Sequence, residues 1–169
     1  AYAGFPAAMA SFRRMDAAFR KAEGVERIEG RKPAERLSDA ERDRRAADVR
    51  RTLTGGRAAA DPATDLANMQ RILGHVGTLA FRWAIGEIWS RPELSRRDRS
   101  LVVIALLGAL GQERELAFHV PAGLNHGLTR AEIEEIMVHL CLYAGFPKGV
   151  DGMRAARAAF EKLDARPAR

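Results

Sequence analysis

From Asp65 to Trp89 the apolar residues Leu66, Met69, Ile72, Leu73, Val76, Leu79 and Ala80 fall three and four apart. That is the spacing of one face of an α-helix, and no stretch of the chain alternates with the period of two that a half-buried strand would need. The same periodicity recurs between clear stop and start signals. Ser38 or Asp39 can cap a helix to about Leu53, which Thr54-Gly-Gly56 ends, and Asp61 or Asp65 can start the next, closed by Arg91-Pro92. Ser95 with Asp98 resembles a capping box and opens the nearly all-apolar run Leu101 to Leu110, expected to be a central, buried helix. A further helix is expected from about Gln112 to Asn125-His-Gly127. Thr129-Arg-Ala-Glu132 is a full capping box, launching a helix with Ile133, Ile136, Met137, Leu140 and Tyr143 turned inward. Gly145 stops that helix, and Pro147 sits at a first-turn position of the last one, which runs to about Leu163. Short links between such helices imply an all-α, antiparallel helical bundle.

The chain also repeats itself. Shifted by 141 positions, Tyr2-Ala-Gly-Phe-Pro6 falls on Tyr143-Ala-Gly-Phe-Pro147, and ten of the twenty positions from Tyr2 to Lys21 are identical. Fixed-offset identity is the mark of a duplicated unit. The expectation is a parent polypeptide with two copies of one helical unit: residues 1–22 as the last helix of the first copy, residues 23–37 as a linker, and residues 38–165 as the second copy.

Composition narrows the function classes. The 169 residues hold one cysteine, so an internal disulfide, a thiolate metal cluster and a vicinal dithiol are excluded, and a reducing, cytoplasmic setting is expected. The nearly all-apolar run Leu101 to Leu110 is too short to span a bilayer, so no membrane partner is expected. The formal charge of +6 comes from 28 Lys plus Arg against 22 Asp plus Glu. Acidic residues are interleaved with the arginines, as in Asp39-Ala-Glu-Arg-Asp-Arg-Arg45, which reads as a salt-bridged helix face. A small anionic ligand is therefore expected, and not nucleic acid.

The candidate chemistry is concentrated in a few residues. Glu115 and His119, four apart on one helix, form the best acid–base pair, because a carboxylate one turn away can orient an imidazole and raise its basicity. His139 and Tyr143 form a second such pair, although Tyr143 can equally be a core tyrosine. The segment Trp83-Ala-Ile-Gly-Glu-Ile-Trp89-Ser-Arg-Pro92 places two aromatic walls and a cation at a helix exit, which suits either a pocket for a flat anion or two core tryptophans with a capping arginine. Arg96, Arg97 and Arg99 on the next first turn oppose the helix dipole unless an anion or a carboxylate lies nearby. His126 reads as a cap at a helix end, His75 as a core histidine and Cys141 as a small buried hydrophobe. The four histidines show no metal-ligand pattern, so no metal is expected.

Taken together, Gly86-Glu-Ile-Trp-Ser-Arg-Pro92, Arg97-Asp-Arg-Ser100, Glu115-Leu-Ala-Phe-His119-Val, Asn125-His-Gly-Leu-Thr129, Glu132-Ile and His139…Tyr143-Ala-Gly-Phe-Pro147 resemble the carboxymuconolactone decarboxylase family over roughly Ser38 to Leu163. The resemblance points to the decarboxylase branch. The related alkylhydroperoxidases use a CxxC whose second cysteine would fall where Glu115 stands. It implies an all-helical fold assembled into a homo-oligomer, hexameric or, for fused units, trimeric. It also implies decarboxylation of a carboxylated muconolactone in aromatic catabolism with no cofactor. His119, oriented by Glu115, would be the proton donor or relay; Arg91 or Arg99 would anchor a carboxylate; Trp89, His139 and Tyr143 would line the pocket. Two positions depart from the family pattern: Pro121 stands where an arginine is expected, and Glu93 where a glycine is usual. The rival class is a ring-forming member that keeps the scaffold as a binding or assembly module without catalysis.

Overall fold

A computed structural model describes residues 5–23 and 36–165. The chain divides into two units, residues 1–37 and 38–169. The first is represented by a single helix, α1 (Phe5–Glu23). The expected linker lies almost wholly outside the described residues, as does the first-copy Tyr2-Ala-Gly4.

The second unit is all-α, and no strand occurs among the described residues. Its helices are α2 (Asp39–Leu53), α3 (Pro62–Leu73), α4 (His75–Leu79), which continues as a π-helical segment (Ala80–Trp89), α5 (Arg96–Leu110), α6 (Glu113–Asn125), α7 (Arg130–Tyr143) and α8 (Phe146–Asp164). The starts are set by side-chain oxygens that satisfy first-turn N–H groups. Ser38 accepts from the Glu41 amide, Asp61 from Thr64, Ser95 from Asp98, and Thr129 and Glu132 cap each other reciprocally.

The helix expected from Asp61 or Asp65 to Trp89 is broken. Gly74, at φ 58° and ψ −139°, is in a conformation open in practice to glycine alone, and it turns the chain between α3 and α4. Beyond it the π-helical turns, an uncommon geometry often found at functional sites, lie against α2. The approach is close at Gly86, where a Cβ would run into the Arg42 backbone carbonyl.

The core holds Val49, Leu53, Trp89, Val103, Ile104, Leu107, Leu116, Val120, Ile133, Met137, Leu140 and Phe160, with a smaller cluster of Ala46, Ala47 and Phe81 beside it. Two polar anchors join the elements. Arg50 grips the fully buried Asp65 with two bonds of 2.7 and 3.0 Å, and buried Arg42 donates to Glu87 at 2.6 Å while lying over the Trp83 ring. The interleaved charges of α2 pair as expected, Glu41 with Arg44 and Arg45, and Asp39 and Asp43 with Arg82.

Several residues expected inside are outside. Ile72, Leu73, Val76 and Leu79 are exposed, and α5 is buried on one side only, with Val102, Leu106 and Leu110 forming an exposed stripe. Tyr143 is 74% exposed rather than inward, and His75 is exposed rather than in the core. Periodicity finds the apolar face of a helix but not which partner covers it, and within one chain α7 already packs its inner face on α5 and α8.

Candidate active site

Trp89 ends the π-helical segment with its indole 8% exposed, and α6 brings His119 flat against it, ring centroids 6.1 Å apart and 23° from parallel. Phe118 meets His119 edge-on at 5.1 Å. His119 is itself buried. Burial, with a smaller contribution from nearby His126, pushes its pKa down to about 4, so the imidazole is neutral at pH 7.

His126, expected as a helix cap, stands at the C-terminal end of α6 with its ring engaged by side chains of other helices. Its ring lies 6.2 Å from Trp89, Nδ1 is 2.8 Å from Ser100 Oγ and Nε2 is 2.9 Å from Thr52 Oγ1. Arg96 donates to the same Thr52 hydroxyl at 3.0 Å and pairs with Asp48. The aromatic cluster is thus tied to α2, α5 and α6 at once. This second histidine is the feature the sequence reading missed; the signal available was its position about two turns beyond His119, at the C-terminal cap of the same helix.

The cations sit at the exit of the same segment. Arg99 donates from Nη2 to the Arg91 carbonyl at 2.7 Å, and its Nε is buried with no hydrogen-bond partner among the described residues. Burial and nearby Arg91 lower the Arg99 pKa from the usual guanidinium range, against an opposing pull from Glu93. Arg91 is more exposed and holds Glu93 loosely, at 3.2 and 3.3 Å. Arg96 and Arg97 find carboxylates in Asp48 and Glu132, which answers their unfavourable place on the first turn of α5.

The remaining candidates lie elsewhere. Glu115 is exposed and makes no hydrogen bond or ion pair among the described residues, so the expected orienting contact with His119 does not form. Four residues at 3.6 per turn leave the two side chains about 40° apart, enough for one to face solvent while the other turns inward. His139 and Tyr143 do pair, rings 4.7 Å apart, but both are exposed, whereas Trp89 and His119 are buried. Trp83 does not share a pocket with Trp89; it is 51% exposed under Arg42, because six residues along the helix carry it to another face. Pro121 sits inside α6 without ending it. The carbonyl that loses its donor belongs to Ala117, at an exposed position where water can replace the bond. No group of three His, Cys, Asp or Glu side chains among the described residues is placed to hold a metal.

Residues 77–158, which carry Trp89, Arg91, Arg99, His119 and His126, match the model of the carboxymuconolactone decarboxylase family. This segment belongs to that family. The chain is 48% identical over 86 residues to a 4-carboxymuconolactone decarboxylase of Acinetobacter baylyi, covering 51% of this chain and 64% of that protein. It is 38% identical over 77 residues to a nitrosuccinic acid decarboxylase of Metarhizium robertsii, covering 44% of this chain and 52% of that protein. The matches thus span between half and two thirds of the length of these curated relatives, both of them decarboxylases. The buried histidine–tryptophan stack therefore stands in a carboxymuconolactone decarboxylase fold.

Proposed function

We propose that the chain is a decarboxylase of a small unsaturated or nitro-activated carboxylic acid, with a carboxylated muconolactone as its first candidate substrate and aromatic-compound catabolism as its setting. The observation that carries this reading is the neutral, buried His119 stacked on Trp89, with Arg99, its Nε buried, held against the Arg91 carbonyl just past the same helical segment, all within the stretch that matches a decarboxylase family.

The chemistry follows from the reaction. When the C–CO2 bond breaks, its electron pair stays on carbon and must be taken up by an adjacent sink, after which that carbon receives a proton. An unsaturated lactone and a nitro group each provide such a sink within the substrate, so the reaction as proposed calls for no cofactor. A flat, apolar wall such as Trp89 disfavours the localised carboxylate charge and tolerates the delocalised one. A half-buried cation such as Arg99, with Arg91 beside it, holds a carboxylate that is not lost. His119 is neutral in the free site; an entering anion raises its pKa, so it can collect a proton from solvent and deliver it to the developing carbanion. Glu115 could supply that proton from the solvent side, and His139 and Tyr143 would serve a site completed by a neighbouring copy.

Assembly belongs to the same proposal. Val102, Leu106 and Leu110 of α5 and Val138 and Leu142 of α7 are exposed apolar residues four apart on two helices that pack together, which suits a homo-oligomer, a trimer or a hexamer. No described helix is long and apolar enough to cross a membrane. The proposed setting is the cytoplasm, where the one cysteine stays reduced.

The test is a substrate panel on the purified chain: 4-carboxymuconolactone, nitrosuccinate and a saturated dicarboxylate, with CO2 release as the readout. Turnover of an activated acid but not of the saturated one is expected. A folded protein that releases CO2 from none of them favours the non-catalytic binding or assembly role.

A further inference from the structure

Arg91, Arg96, Arg97 and Arg99 crowd the junction between the π-helical segment and α5, and all but one of them face a carboxylate. Arg96 pairs with Asp48, Arg97 with Glu132, and Arg91 with Glu93 through bonds of 3.2 and 3.3 Å. Arg99 is the exception. It is fixed in place by its bond to the Arg91 carbonyl, yet no carboxylate lies within ion-pair distance of it among the described residues. Glu93 is thus a carboxylate that the chain itself brings to the junction. It holds Arg91, and from farther off its charge favours the protonated Arg99. An exposed pair with bonds this long adds little to the fold. What it changes is the field that an incoming anion meets.

A carboxylate arriving from solvent therefore meets two unlike places. At Arg99 the positive charge is not yet paired. At Arg91 the newcomer must displace Glu93 or stand beside it, and either course costs free energy, because like charges at that range repel. We propose that Glu93 is a specificity residue that sets the charge of the acid this site accepts: it leaves Arg99 as the anchor for one retained carboxylate and turns away an acid that would bring a second to Arg91. The substrate class is then an activated dicarboxylic acid, which loses one carboxylate as CO2 by the step set out above and keeps the other. Both 4-carboxymuconolactone and nitrosuccinate have that form. The inference deepens the decarboxylase reading and rests on it for the carboxylate that is lost; the preference at the anchor rests on the arginine pairing alone.

Unreactive acids test the anchor apart from catalysis. Succinate, with two carboxylates, and propane-1,2,3-tricarboxylate, with three, are each titrated into the full chain at low salt while the arginine Nε–H signals are followed by NMR. In the wild type succinate should shift the Arg99 signal and leave that of Arg91 in place, and the tricarboxylate should bind no more tightly than succinate. Glu93→Gln keeps the shape of the side chain and removes its charge. In that variant the tricarboxylate should shift both arginine signals, and its affinity relative to succinate should rise about fivefold. A wild type that prefers the tricarboxylate, a ratio unmoved by Glu93→Gln, or succinate that shifts Arg91 in place of Arg99 or neither of them would overturn the proposal. Failure of the decarboxylase reading looks different: the arginine signals behave as stated while no activated acid loses CO2.

Discussion

At the scale of the residue, the site is governed by what burial does to charge. His119 has a folded pKa of about 4 against an ordinary 6.5, so the folded state binds fewer protons than the unfolded chain between those values. Its contribution to stability is therefore complete above about pH 6.5 and is lost as the pH falls toward 4. The expected loss is roughly 2 kcal/mol between pH 8 and pH 5, read by urea unfolding, and His119→Gln should flatten that dependence. A stability equally pH-dependent in the variant would assign the effect elsewhere. Asp65 is the opposite case, a carboxylate 1% exposed whose cost is met by the bidentate Arg50. Asp65→Ala leaves that guanidinium without its partner and should destabilise the fold by about 3 kcal/mol in the same measurement.

At the scale of the element, most helix boundaries were legible because the capping residues are short-range chemistry: Ser38, Ser95 and Thr129 each cap where their own hydroxyl can reach an amide three residues on. The break at Gly74 was not, since an isolated glycine in a periodic run is compatible with a continuous helix. Nor was the π-helical segment, whose geometry reflects packing on α2 more than local propensity. Gly86→Ala tests that packing directly: with its new methyl against the Arg42 carbonyl, α2 and the segment must separate, and a loss of 1–3 kcal/mol by chemical unfolding is expected. The site divides in the same way. His119 and Trp89 were legible as chemistry and prove to be in contact, whereas the Glu115 pairing failed because spacing fixes a helix face and not a rotamer. His126 was missed because its partners Thr52 and Ser100 are 74 and 26 residues away in sequence.

At the scale of the whole molecule, the open matter is what covers the apolar surface. A chain of 18.6 kDa that exposes Ile72, Val76, Val102, Leu106, Leu142 and Phe146 should sediment as a multiple of that mass, and Leu106→Asp should reduce the multiple while leaving the helical signal intact. A monomer in both cases would return these residues to the surface of a single chain. The α1 helix, partly repeated in α8, carries Met9, Phe12, Met15 and Phe19 three and four apart, an apolar face of its own. Function hangs on one measurement above the others: CO2 release from 4-carboxymuconolactone by the wild type and by His119→Ala, each with its oligomeric state determined. The account predicts turnover by the wild type and a fall of at least about a hundredfold in an equally assembled variant. An active variant, or an inert wild type of native assembly, would contradict it.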